Sequence, residues 1–186
     1  MNVNRLKTQL QAIAYQFKGH LWFALDEQYE IRKKVFNHAI NNDPVVIIEA
    51  FCEQDVCLAI KFANLHSLPI SVKGGGHSNT GSCVVNDGIV LDMSLFKFIA
   101  LADDRKSVVI GAGVKNKELD AYTAQYGVAV PLGTCPDVGV VGATLGGGIG
   151  LLSRKFGLTC DNLISVKMID AQGTKLVVNS FSNSDL

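Results

Sequence analysis

Two dense glycine clusters constrain this chain more than any other feature. One reads Lys73-Gly74-Gly75-Gly76-His77-Ser78 and follows a β-branched run. The other reads Gly142-Ala143-Thr144-Leu145-Gly146-Gly147-Gly148-Ile149-Gly150. Three consecutive glycines are costly to order, because glycine loses more backbone freedom on folding than any other residue. They fit where a Cβ would obstruct something: a tight turn in a packed core, or the approach of a ligand to backbone N–H groups. Either cluster alone is compatible with a tight turn. A histidine at the end of the first and a Cys135-Pro136 ahead of the second favour a bulky anionic ligand lying along both.

The familiar nucleotide signatures do not account for these clusters. No Gly-Lys dipeptide occurs, which excludes a GxxxxGK[ST] phosphate loop. Gly111-Ala112-Gly113-Val114-Lys115-Asn116 approaches the GxGxxG fingerprint after a strand, but its third glycine is missing and no acidic residue ends a strand about 20 residues later. A Rossmann NAD-dependent enzyme is therefore the weaker alternative.

The rest of the chain reads as a mixed α+β fold. Leu6, Leu10, Ile13, Ala14 and Phe17 recur at helical spacing, and a second periodic stretch covers 27–40 before Asn41-Asn42-Asp43-Pro44 breaks it. Residues 1–42 are thus expected to be a helical segment ahead of a domain over 43–186. A strand at 45–49, a helix at 54–67 and a strand at 69–72 form a strand–helix–strand unit, which favours a parallel pair. Short strands are expected at 88–92, 96–102 and 107–110, a helix at 115–126, a glycine-rich stretch at 131–150, and a hairpin over 163–178 turning at Ala171-Gln172-Gly173. A division into two parts is expected between Ser78 and Gly88.

Composition narrows the partners. Seventeen basic residues balance seventeen acidic ones without a basic cluster, so a nucleic-acid or anionic-lipid partner is not expected. Apolar runs are strand-sized, far below the roughly 20 residues of a membrane span. The five cysteines show no CxxC spacing and no metal site is expected. A reducing cytoplasm and a small-molecule partner are the expectation.

Four linked motifs add a resemblance. They are Ser71-Val72-Lys73-Gly74-Gly75-Gly76-His77-Ser78, Gly88-Ile89-Val90-Leu91-Asp92, Gly133-Thr134-Cys135-Pro136-Asp137-Val138-Gly139-Val140, and the run from Leu145-Gly146-Gly147-Gly148-Ile149-Gly150 to Asp161-Asn162. Their order and spacing resemble the berberine-bridge-enzyme-like FAD-linked oxidases of the vanillyl-alcohol oxidase / PCMH-type superfamily, from about Tyr29 to the last residue. The resemblance implies a PCMH-type FAD-binding domain of two α+β subdomains. It implies an oxidase that passes hydride from an alcohol, amine or sugar-type substrate to flavin N5 and then reduces O2 to hydrogen peroxide. In many members the flavin is bonded to the GGGH histidine, here His77, and in a subset also to the G-x-C-P cysteine, here Cys135.

By the same resemblance, the FAD-binding set is Lys73, Gly74, Gly75, Gly76, His77, Ser78, Gly133, Cys135, Val138, Gly139, Gly142, Leu145, Gly146, Gly147, Gly148 and Gly150. Val138 occupies a position that governs oxygen access. Lys73 stands where arginine is commoner, keeping the charge but losing the planar fork. Leu145 to Gly150 are expected along the pyrophosphate and ribitol. The simpler alternatives are a histidine hydrogen-bonded within its turn and a buried Cys135 thiol. Cys52, Cys57, Cys83 and Cys160 match no functional position and read as packing. The catalytic base, the rest of the flavin domain and a substrate domain are expected beyond Leu186, in one longer chain or as a separate C-terminal half. A piece that binds FAD weakly, without catalysis, is the second reading.

Overall fold

The computed structural model describes residues 3–186. The elements are α1 (Val3–Ile13), β1 (His20–Trp22), α2 (Glu27–Lys33), β2 (Val46–Glu49), α3 (Glu53–His66), β3 (Ile70–Lys73), β4 (Ile89–Asp92), β5 (Ile99–Leu101), β6 (Val108–Ile110), α4 (Asn116–Ala124), α5 (Val140–Leu145), α6 (Ser153–Phe156), β7 (Ser165–Ile169) and β8 (Lys175–Asn179). The fold is mixed α+β, as expected from the sequence.

A four-stranded sheet in the order β1-β2-β4-β3 organises the first half. Strands β2, β3 and β4 run parallel, and β1 is antiparallel to β2. Every residue of β2 and β4 is buried, the pattern of parallel strands covered on both faces. Alternation divides their side chains. Val46, Ile48, Ile89 and Leu91 join Leu6, Leu10 and Phe17 and the α3 residues Ala59 and Phe62 on one face. Ile47 and Val90 pack with Tyr29, Val35 and Val84 on the other. Tyr29 donates its hydroxyl to the Pro44 carbonyl at 2.6 Å, and burial reinforced by the Asp43 charge pushes its pKa up to about 12. A separate core of Val114, Leu119, Leu132 and Val140 packs beneath the β5–β6 hairpin.

Three expectations need correction. Residues 1–42 are not simply a helical segment, because His20–Trp22 pairs with β2. Asp55, fully buried at the start of α3, accepts the amides of Lys18 (2.8 Å) and Gly19 (3.0 Å) as well as Phe51 (2.9 Å), binding the early chain to this sheet. The periodicity over 27–40 is helical only to Lys33. Beyond it Lys34 is extended, and the Phe36 amide donates to Gly76 O at 2.9 Å, a tertiary bond that outweighs the local preference. Finally, β2 and β3 do not pair directly. Strand β4 lies between them, so the sheet continues through residue 92 and no division falls between Ser78 and Gly88.

The helix expected over 54–67 is present one residue earlier, as Glu53–His66; the strands and helix expected over 88–92, 96–102, 107–110 and 115–126 are present with shorter bounds, and the terminal hairpin pairs β7 with β8. The glycine-rich stretch 131–150 contains a helix, α5. No helix among the described residues is long and apolar enough to cross a membrane.

Candidate functional site

Strand β3 delivers the first glycine cluster at the carboxyl end of the parallel strands, where ligands of open α/β sheets gather. Its burial is inverted relative to its polarity: Ser71 and Lys73 face inward while Ile70 and Val72 are exposed. Lys73 therefore points under the loop. Its ammonium donates to the Arg32 carbonyl and lies 3.6 Å from buried Asp92. The stem passes below Gly76, whose positive φ of 70° suits a glycine turn. The next residue, His77, stacks on Phe36 with ring centroids 4.3 Å apart and an interplanar angle of 17°.

The second loop, 133–139, hangs on the start of α4. The amides of Asn116 and Lys117, left free by helix geometry, donate to Val138 O (2.9 Å) and Pro136 O (3.0 Å). The Asn116 side-chain amide donates to Gly133 O (3.2 Å) and Cys135 O (3.0 Å). Lys117 bonds Asp137 at 2.7 Å and holds its carboxyl below the usual carboxylate range. The Val140 amide donates to Val114 O at 3.0 Å, completing the attachment as an isolated antiparallel bridge between Lys115 and Gly139. The Cys135 side of this loop faces solvent, so the thiol is not a core residue.

The two loops touch through their backbones. A Cβ on Gly75 would collide with the Gly139 amide nitrogen, and one on Gly139 would lie 2.6 Å from Gly75 N. No residue with a side chain fits at this crossing. Beside it opens a cleft of about 410 Å³, lined by Val72, Gly74, Gly75, Gly76, His77, Ser78, Ser82 and Cys83 from one side and Val138, Gly139, Gly142 and Ala143 from the other. That volume is in the range of small-molecule and cofactor sites, about 300–1,000 Å³.

The cleft has the features a flavin nucleotide needs. Glycine backbone lies along both walls, and a Cβ on Gly142 would meet no atom within 4 Å, so this wall faces open space. A histidine sits at the edge. Among the described residues neither ring nitrogen of His77 takes part in a hydrogen bond, which sets aside the reading of a histidine bonded within its own turn.

Of the residues singled out from sequence, Gly74, Gly75, Gly76, His77, Ser78, Val138, Gly139 and Gly142 come together in the cleft. Lys73, Gly133, Cys135, Leu145, Gly146, Gly147, Gly148 and Gly150 are not among the residues lining it. Two of these glycines have packing roles: a Cβ on Gly148 would strike the Thr159 side chain, and one on Gly150 the Leu132 carbonyl. Thr159, buried, bonds Pro131 O (2.6 Å) and Gly148 O (3.2 Å), closing that stretch on itself.

The sequence did not single out Val72, Ser82, Cys83 or Ala143 as lining residues, and Cys83 had read as packing alone. The signal for Val72 was the inverted amphipathicity of β3. For Ser82 it was the spacing to Ser78, whose hydroxyl it meets at 2.9 Å.

Comparison with known proteins agrees with this geometry. Residues 44–179 match the family described as FAD binding domain. The FAD-linked oxidoreductase YgaK of Bacillus subtilis is 38% identical over 161 residues, covering 85% of this chain and 36% of that protein. The structure of BBE-like 1 from Physcomitrella patens superposes with a TM-score of 0.91 at 30% identity, over 95% of this chain and 39% of that one. Glucooligosaccharide oxidase from Acremonium strictum, described with a 6-S-cysteinyl, 8α-N1-histidyl FAD, gives a TM-score of 0.87 at 25% identity, over 97% and 38% of the two chains. The chain spans about two fifths of the length of these relatives. With its two glycine loops crossing at the mouth of one cleft, the chain belongs to the FAD binding domain family of the berberine-bridge-enzyme-like oxidoreductases.

Proposed function

We propose that this chain is the FAD-holding portion of an oxidase. The flavin nucleotide lies in the cleft between the 74–78 and 138–143 loops, bonded to His77 and, as a second link, to Cys135. The observation that carries this reading is the cleft itself: backbone-lined on two sides, with an imidazole on its wall whose ring nitrogens make no hydrogen bond among the described residues. A neutral imidazole with a free lone pair is a nucleophile, and a fixed position raises its effective concentration. The exposed Cys135 thiol sits on a loop anchored to α4, and the cysteinyl-histidyl flavin of the Acremonium oxidase supports the double linkage.

When bound, the flavin supplies hydride acceptance from a small-molecule alcohol, amine or sugar-type substrate and electron transfer to dioxygen. The residues here bind and orient it. Gly74–Gly76 and Gly139–Gly142 give close backbone approach, Ser78 and Ser82 offer hydroxyls, and Val138 keeps a compact side chain on the cleft wall that leaves room for oxygen. Lys73 supports the loop from beneath through Asp92 and Arg32 rather than reaching the ligand. Leu145 to Gly150, which follow this wall outside the cleft lining, are assigned to the pyrophosphate and ribitol. Catalytic proton transfer falls to residues outside this set.

The test is to incubate the purified chain with FAD, precipitate it with acid, and sequence the tryptic peptides containing His77 and Cys135 by mass spectrometry. A flavin adduct on the His77 peptide is expected, with a second on Cys135. A chain that gains no flavin absorbance would favour the non-catalytic reading and overturn this one.

A further inference from the structure

Phe36 is large, apolar and 61% exposed, yet it lies against the imidazole of His77. It belongs to none of the three cores and does not line the cleft. The chain departs from a helix to bring it there. Helix α2 stops at Lys33, Lys34 turns extended, and the Phe36 amide donates to Gly76 O at 2.9 Å. Residues 34–36 thereby run beside the glycine loop, and a Cβ on Gly76 would lie 3.9 Å from both Lys34 O and Val35 Cα. The near-parallel stack, 4.3 Å and 17°, is the side-chain interaction that orients the His77 ring, since neither of its nitrogens is hydrogen-bonded among the described residues.

A histidine is usually fixed through a hydrogen bond on one ring nitrogen. Face stacking fixes the plane instead and leaves the nitrogen-bearing edge free. We infer that Phe36 is a positioning residue for His77, holding the imidazole plane so that a ring nitrogen faces the cleft for bond formation with the flavin. This inference rests on the flavin reading above. In the attachment, one nitrogen–carbon bond replaces an imidazole N–H and one C–H of the flavin 8-methyl group. The two protons and two electrons released reduce the flavin, and dioxygen takes them up as hydrogen peroxide. Phe36 does not enter that balance; it sets the geometry, where a misplacement of about 1 Å can cost roughly 100-fold in rate.

The experiment compares the full chain with Phe36→Leu and Phe36→Tyr, without and with FAD. Without FAD, NMR of the His77 ring protons reads the stack directly. Ring-current shifts are expected in the wild type and in Phe36→Tyr, and their loss in Phe36→Leu. With FAD, the rate of adduct formation on the His77 peptide is expected to fall about tenfold or more in Phe36→Leu and to recover in Phe36→Tyr. Because Phe36 lies outside the cores, the tyrosine variant guards against misfolding as the cause of a loss. Unchanged His77 resonances in Phe36→Leu, or adduct formation at the wild-type rate, would overturn the inference while leaving the flavin reading intact. A wild-type chain that takes up no FAD would overturn the flavin reading and this role with it.

Discussion

At the scale of a residue, the crossing of Gly75 and Gly139 ties architecture to ligand. Each lacks the one atom that the other's backbone forbids. Gly75→Ala or Gly139→Ala must push the two loops apart, and overpacking of this kind costs about 1–3 kcal/mol. Gly142→Ala differs. Its Cβ would meet no atom, and within α5 the change removes a helix-disfavouring residue. It should leave stability level or raise it by up to about 1 kcal/mol, while its methyl group narrows the cleft. Urea unfolding paired with FAD fluorescence titration separates the cases. The crossing variants are expected to lose both stability and FAD uptake, and Gly142→Ala to lose uptake alone. Equal stability in all three would show that the loops are not held in this contact.

At the scale of elements, α4 has two duties: it packs Leu119 into the core beneath the β5–β6 hairpin and uses its first turn to hold the 133–138 loop. Asn116, 1% exposed, contributes two side-chain bonds to that attachment. Asn116→Ala frees the carbonyls of Gly133 and Cys135, a loss of about 1–3 kcal/mol if they stay dry. It should reduce the Cys135 adduct more than the His77 adduct, read from the same peptides, because His77 sits on a different element. An equal reduction of both would argue that the loops respond as one unit. Such attachments are where the sequence was mute. Its periodicities gave α3, α4, β2, β4 and the β7–β8 hairpin, and its glycine clusters gave half of the cleft. It could not give β1, since His20-Leu21-Trp22 holds no β-branched residue, unlike the equally short β5 and β6, nor the insertion of β4 between β2 and β3, which only long-range pairing decides. The end of α2 at Lys33 was hidden because the bond from Phe36 to Gly76 opposes local propensity. At Gly148 and Gly150, which pack against Thr159 and Leu132, sequence cannot separate packing from ligand approach, since glycine serves both needs.

At the scale of the whole molecule, burial is uneven. The first sheet is covered on both faces, whereas the stretch from 145 to 164 shows Leu145, Ile149, Leu151, Phe156, Leu163 and Ile164 to solvent, with Leu151 88% exposed. Scattered apolar residues need no explanation, but a concentration like this in one stretch is unusual for a monomer in water. The neutral net charge adds no repulsion to keep copies apart. The chain is therefore expected to self-associate as its concentration rises, with the apparent mass in sedimentation equilibrium climbing above that of one chain. Ile149→Lys with Leu151→Lys should return it towards the monomer. Because both side chains stand out in solvent, the change in unfolding free energy should stay within about 0.5 kcal/mol. The glycines that close this stretch on Thr159 and Leu132 remain in place in the double variant, so the local backbone has no cause to open. Association that persists undiminished in the double variant would move the sticky surface elsewhere, to the β7–β8 hairpin with its exposed Met168 and Val177. A wild type that stays monomeric at high concentration would mean that these side chains are dispersed over the surface rather than gathered in one patch.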